Sequence, residues 1–471
     1  MYLQGTLEGA PTAPFGDAPI LAPGSRAEAR QLEQVPDRAD GCRKSGRRRG
    51  YTGTRLLDQD LSFWMAGICV LLTAIGGWPA GLASSLRPSL PGLAVGVTHT
   101  QYSLDSSTPV QAAARALDVL REVAPVQNQH LMGWGALNPE PVAGHYDFSS
   151  LDRRMELITK TGAEPVLTLC CAPDWMKGGP SGTTDWSRIE EAPRPEHFDD
   201  FARLAQVAAQ RYPHVHRFVV WNELKGFYDS GANDWDVAAY TDLYNRVYAA
   251  VKEVRPDALV GGPYVIVDSW ASEWAGGHRS TLTGPWGTID QRSLDVIRYW
   301  LEHAAGADFV ALDGGTHTHD RGLITTDFVA TAKLSTVTEW VRARTDLPIW
   351  WVEMGAECSD ESAPAADPRR AVVMVHALVA VARAGASVAL LWRPREDPDR
   401  TTVALFSDTS TPSGGRPLPL STLLAVVGEE LRADPQQVLA TWHPSSSLWT
   451  LVTPRWSVIW SPDTGLRLLE S

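Results

Sequence analysis

Arg217-Phe218-Val219-Val220-Trp221-Asn222-Glu223 is a short apolar run that stops abruptly at a carboxamide and a carboxylate. An apolar run of this length with polar ends reads as a strand buried on both faces. A helical stretch follows, Trp235 to Val254, and it ends before Pro256. Then comes another apolar run, Ala258 to Pro263. The same rhythm extends in both directions. Upstream, strands are expected at Leu93–His99, Val126–Trp134 and Pro165–Cys170, with helices Thr108–Val123, Asp147–Thr161 and Glu196–Tyr212. Downstream, strands are expected at Asp308–Asp313, Pro348–Glu353 and Ser387–Trp392. Their helices are Ser293–Ala304, Asp327–Thr345, Pro368–Ala384 and Leu418–Leu431. Eight strand–helix pairs in about 340 residues have the count and span of an α/β chain folded as a (β/α)8 TIM barrel. An open doubly wound sheet is the rival, but no Gly-rich phosphate fingerprint follows the first strand.

The barrel is expected over 92–432 and a small β appendage over 433–471. In the appendage, Leu448–Val452 and Trp456–Trp460 alternate around a Pro454-Arg455 turn. Residues 1–60 are rich in Gly, Pro, Ala and Arg without hydrophobic period, and read as a disordered basic leader. Residues 61–86 carry no charge. With the basic cluster Arg43–Arg49 before them and Gly81-Leu82-Ala83 near their end, they read as a signal peptide or a membrane anchor through 61–83. Either reading makes the barrel an exported, extracytoplasmic unit.

The net charge of −13 argues against nucleic acid as a partner. With 44% hydrophobic and 21% charged residues, the chain can bury an ordinary core without a disulfide scaffold. Cys42 and Cys69 fall outside the barrel. Cys170, Cys171 and Cys358 read as two buried thiols and one loop thiol, and the cysteines lack metal-ligand spacing. No cofactor or metal is expected. His317, His319, Asp313 and Asp320 could contribute to a zinc set, but no further ligand completes it. Nineteen of forty aromatic residues are tryptophan, whose flat apolar faces suit sugar rings as well as cores.

Barrel active sites lie at the C-terminal ends of the strands. The polar and aromatic residues expected there are His99, Trp134, Trp175, Asn222, Glu223, His317, Glu353 and Trp392. A lone glutamate at a strand end is often a solvated loop residue. Two, each ending an apolar run that contains tryptophan, would face one another across the barrel mouth. Two carboxyl groups flanking a small space, one protonated and one ionised, are what glycosidic-bond cleavage needs.

Trp221-Asn222-Glu223 resembles the Asn-Glu signature after the fourth strand of clan A glycoside hydrolases. Ile349-Trp350-Trp351-Val352-Glu353-Met354-Gly355 resembles the nucleophile motif of their seventh strand. Pro173-Asp174-Trp175 and Trp392 also resemble members of the clan. Within it the chain is most similar to glycoside hydrolase family 39, through Val260-Gly261-Gly262-Pro263 and the Asp308-Phe309-Val310 run ending in His317-Thr318-His319. Family 39 usually has a tyrosine where His319 stands, so families 5, 30, 51 and 79 remain alternatives. The resemblance implies a retaining hydrolase with Glu223 as acid/base and Glu353 as nucleophile. It further implies that Asn222 binds the 2-hydroxyl, that His317 stands beside Glu353, and that Trp392 floors the sugar. His99, Trp134 and Trp175 complete the expected substrate contacts, and the expected partner is an oligo- or polysaccharide, with a xyloside first. Two alternatives are a non-catalytic carbohydrate-binding barrel and a transglycosylase using the same glutamates.

Overall fold

The eight apolar runs close into one parallel barrel. Its strands are β1 (Ala94–Thr98), β2 (Val126–His130), β3 (Glu164–Leu169), β4 (Arg217–Val220), β5 (Leu259–Ile266), β6 (Phe309–Gly314), β7 (Ile349–Met354) and β8 (Ala386–Trp392). Each pairs with its sequence neighbour, and β1 pairs with β8 from Ala94↔Val388 to Thr98↔Trp392. The computed structural model describes residues 92–104, 107–271, 278–360, 362–397 and 403–470. The leader at 1–60 and the apolar segment at 61–86 lie outside the described residues. Among the described residues, no helix is long and apolar enough to cross a membrane.

The helices between the strands are α1 (Val110–Val123), α2 (Ser149–Thr161), α3 (Phe198–Arg211), α4 (Val237–Val254), α5 (Gln291–His303), α6 (Ala332–Arg342), α7 (Pro368–Arg383) and α8 (Pro419–Ala433). Local chemistry sets their ends. The Asp236 carboxylate caps α4 by accepting from the Ala239 N–H. Asp367 caps α7, with Pro368 in the first turn, where its missing N–H costs nothing. Gly162 ends α2 at φ 75°, a conformation other residues adopt at a cost.

Alternation along the strands makes two cores. One lies between barrel and helices. The other fills the barrel, with Val166, Val219, Phe309, Trp350 and Leu390 among its members. Phe309 and Trp350 stack at 4.3 Å between centroids. A Cβ on Gly261 would lie 2.3 Å from the Phe309 ring, so the Val-Gly-Gly-Pro stretch is needed for packing.

Three stretches differ from their sequence reading. The helix expected over Asp327–Thr345 breaks at Thr331, whose hydroxyl donates to the Phe328 carbonyl. The expected loop Ser269–Gly287 contributes Ser269–Trp270 and Arg279–Gly284 to a small antiparallel sheet with Gly287–Asp290. The C-terminal stretch has four strands rather than two: β9 (Leu439–His443), β10 (Leu448–Val452), β11 (Trp456–Ser461) and β12 (Gly465–Glu470). Its Trp449, Leu451, Val458 and Trp460 belong to the same buried core as the barrel helices. Trp442 stacks on Phe328 at 4.3 Å.

The thiols expected at Cys170 and Cys171 are not free. Cys170 and Cys171, just past β3, form a disulfide with one another, and only Cys358 among the described cysteines is a free, buried thiol.

Candidate active site

The turn after β4 decides the site. Trp221, Glu223 and Leu224 all have positive φ, at 70°, 51° and 50°. Side chains other than glycine rarely adopt this region, and clusters of such residues occur where a site needs them. The turn is held by the buried Trp221 ring, whose Nε1 donates to the Lys225 carbonyl at 2.7 Å. Asn222 is buried, and its Oδ1 stands 3.4 Å from Nε2 of His130, at the end of β2.

Opposite, bulges shape β5 to β7. The pairing of β5 with β6 skips Tyr264, and that of β6 with β7 skips Val352. Bulges near active sites re-aim side chains. Here Tyr264, at φ 56°, turns its hydroxyl onto Glu353 Oε1 and donates to it. The second bulge brings Asp313 level with Glu353. A buried hydrogen-bond chain steadies this arrangement. Thr168 donates to Asn128, Asn128 to Thr98, and Thr98 to the Val352 carbonyl, at 2.9, 3.2 and 2.9 Å.

Oxygens of Glu223, Asp313 and Glu353 thereby come within 4.8 Å of one another. Among the described residues no other three His, Cys, Asp or Glu side chains converge so closely. His317, His319 and Asp320 stand outside the cluster, so the zinc set weighed from the sequence is not assembled.

Three carboxyl groups this close together, two of them buried and Glu223 half-buried, disfavour full ionisation at neutral pH. Burial raises Asp313 well above the ordinary carboxylate range, with the charges of Glu353 and Glu223 adding to it. Burial and the Glu223 charge push Glu353 up to about 8, against the pull of the Tyr264 hydroxyl. Burial works to raise Glu223 too, but the Lys225 ammonium wins and holds that carboxyl below its ordinary value. Lys225 Nζ stands 2.8 Å from Glu223 Oε2 and 2.6 Å from Glu190 Oε1. Of the three, Glu223 is therefore the carboxyl that holds a negative charge most readily, and Asp313 and Glu353 are the ones that favour a proton.

The remaining expected residues divide. Trp134 and Trp392 converge on His130. The Trp134 ring lies 4.2 Å from the imidazole, and the Trp392 ring 6.3 Å from both. Through His130 and Asn222 this aromatic corner adjoins Glu223. Trp175 is pinned elsewhere, its Nε1 donating to the Glu140 carbonyl at 2.9 Å and its edge meeting His197. His99 is fully buried against Gln127 at 3.0 Å, and burial followed by the Arg154 charge lowers its pKa to about 3. His317 lies beyond the end of β6, where it acts on Glu357. The residues found beside Glu353 are Asp313 and Tyr264. His319 pairs with Asp268 at 3.3 Å and lies against the Trp270 ring.

Asp313, Tyr264, Lys225 and His130 were absent from the expected active-site residues. Two of them carried a signal. Asp313 ends an apolar run just as Glu223 and Glu353 do. Gln127-Asn128-Gln129-His130 is a polar string in a strand that is buried throughout.

With this geometry, the chain's likeness to known proteins has a definite meaning. Residues 138–388, more than half of the chain, match the model of glycosyl hydrolases family 39. The chain belongs to glycosyl hydrolase family 39. It is a glycoside hydrolase, and the match spans Glu223, Tyr264, Asp313 and Glu353. No curated protein matches the family 39 chain described here. Solved structures do. A monomeric β-xylosidase from Caulobacter crescentus CB15 aligns at 16% identity and TM-score 0.52, over 79% of this chain and 75% of that one. SrfJ from Salmonella typhimurium aligns at 12% and 0.52, over 81% and 88%. A family 39 enzyme from Xanthomonas axonopodis pv. citri aligns at 16% and 0.50, over 78% and 72%. At these identities the likeness establishes the shared fold.

Proposed function

We propose that this family 39 chain is an exported retaining glycosidase, with Glu223 as acid/base, Glu353 as nucleophile and a xyloside as its first substrate. The observation that carries the mechanism is the close approach of the two glutamates, with oxygens within 4.8 Å. Retaining enzymes hold their carboxyl groups roughly 5–5.5 Å apart, whereas inverting ones leave roughly 6.5–9.5 Å for a water.

In the first step Glu353 attacks the anomeric carbon while Glu223 gives its proton to the departing oxygen. In the second, Glu223 takes a proton from water, and that water's oxygen displaces Glu353. Tyr264, donating to Glu353, lowers the cost of its charge. In this reading Asn222 holds the 2-hydroxyl, and Trp392 with Trp134 offers apolar faces to the ring. His99, Trp175 and His317 take outer supporting places in this reading rather than contacts with the reacting atoms.

Export rests on the charge-free segment 61–86 after a basic cluster. The Cys170–Cys171 disulfide supports it, since disulfides persist in oxidising compartments. The xyloside preference rests on the family and on a structural relative that is itself a β-xylosidase.

The test is turnover of aryl xyloside, arabinofuranoside, glucoside, galactoside and glucuronide by the full chain, with Glu223→Ala and Glu353→Ala alongside. One glycoside should be cleaved with retention. Glu353→Ala should be inert until azide is added, and should then release the inverted glycosyl azide. Inverted product from the intact enzyme would sink the mechanism.

A further inference from the structure

Asp313 has no part in the two-glutamate scheme, yet its carboxyl group shares the 4.8 Å cluster with both glutamates. It is 5% exposed and lies level with Glu353 across β6 and β7. Two carboxyl groups this close to one another avoid a double charge only if one of them carries a proton, which it can donate to the other. The titratable groups facing the pair come from several elements. Glu353 faces it from β7, Tyr264 from β5 and His130 from β2. Lys225 faces it from the turn after β4, with Glu190 behind, and Lys333 acts on it from α6. Lys225 is shared between two carboxylates, and burial keeps His130 neutral near pH 7 by lowering its pKa to about 4. With Glu353 ionised for attack, Asp313 is the carboxyl of the cluster left to give a proton to Glu223 or take one from it.

We propose that Asp313 is a positioning residue for catalysis, sharing one proton with Glu223 so that the acid/base group can donate while Glu353 is ionised. The inference rests on Glu223 being the acid/base and Glu353 the nucleophile. In the reactive form Glu353 has released its own proton to solvent, and the one proton left on the pair passes from the Asp313 carboxyl to Glu223, leaving Asp313 as carboxylate. Glu223 delivers that proton to the glycosidic oxygen as the C–O bond breaks and the Glu353–carbon bond forms. When water resolves the glycosyl-enzyme, Glu223 takes its proton and returns it to the pair. The charge on Asp313 disfavours a second charge on Glu223, which keeps the acid loaded at the moment of use.

The experiment is the pH profile of kcat/KM for full-length wild type, Asp313→Asn and Asp313→Glu, on a glycoside with a poor leaving group and on its 2,4-dinitrophenyl analogue. Asparagine has nearly the same shape and can still donate an N–H, but holds no transferable proton. In Asp313→Asn the basic limb is expected to move to lower pH. Beyond it, activity on the poor leaving group should fall roughly tenfold per pH unit relative to wild type. The dinitrophenyl substrate, which needs no proton, should be nearly unaffected, and Asp313→Glu should restore the limb. A loss uniform across pH and leaving group, or no loss, overturns the proposal. Carbon-13 carboxyl spectra of aspartate-labelled wild type supply a check that needs no variant. A protonated aspartate is expected at pH 7, and its absence overturns the proposal. Glu223→Ala and Glu353→Ala with azide separate the two failures. If they behave as acid/base and nucleophile while Asp313→Asn shifts no limb, the sharing fails alone. If they do not, the assignment beneath it fails.

Discussion

Glu353 is buried with its pKa pushed up to about 8, against an ordinary 4.5. Between those values the native protein holds a proton that the unfolded chain has released. Stability must therefore fall as pH rises through this window, because the folded state binds more protons there. Glu353→Gln removes the titration and keeps the shape. It should be catalytically dead yet more thermally stable than wild type, by little near pH 5 and most near pH 8. The difference should grow by on the order of 1 kcal/mol per pH unit. Thermal unfolding across that range checks it, and a difference independent of pH would refute it. Glu223 behaves differently only because Lys225 stands beside it. Both glutamates were legible in the sequence as acids ending tryptophan-bearing strands. Their opposite ionisation was not, because it depends on which charges the fold brings within a few ångströms.

At the scale of elements, strand and helix positions followed from the alternation of apolar runs and amphipathic stretches. In the structure, aspartate carboxylates cap α4 and α7. Asp236 accepts from the Ala239 N–H at 2.9 Å, far from the carboxyl cluster in chain and role. Asp236→Ala should lower stability by about 1 kcal/mol with kcat/KM unchanged. Denaturant unfolding and the aryl glycoside assay read the two separately, and a matching loss of activity would contradict the capping role. What the pattern could not place is register. A bulge at Tyr264 and another at Val352 decide that Tyr264 and Asp313, rather than His317, meet Glu353. One extra residue in a strand moves every later side chain to the other face. The Gly314-Gly315 pair hides that shift, since neither residue shows a face.

For the whole molecule, the C-terminal sheet is part of the barrel's core rather than a loose attachment. Trp449, Leu451, Val458 and Trp460 are all buried, and the Trp449 indole donates to His376 of α7 at 3.4 Å. Burying four such side chains contributes about 1.5–3 kcal/mol each, comparable in sum to the total stability of an ordinary domain at about 5–15 kcal/mol. Ending the chain at Asp434 should therefore abolish cooperative folding. Soluble yield and circular dichroism would report it, and a stable, active truncation would show the sheet to be dispensable.

The sequence alone determined the eightfold strand–helix rhythm, and hence the barrel. It also determined the two glutamates, because periodicity and strand-end position are local properties of the chain. Tertiary structure decided the rest. The Tyr264 hydroxyl on Glu353, the Lys225 bridge and the third carboxyl at Asp313 all depend on side-chain direction and proximity. Those are set by bulges, a left-handed turn and the closure of the barrel, where residues nearly a hundred positions apart share one buried space and must divide its protons among them.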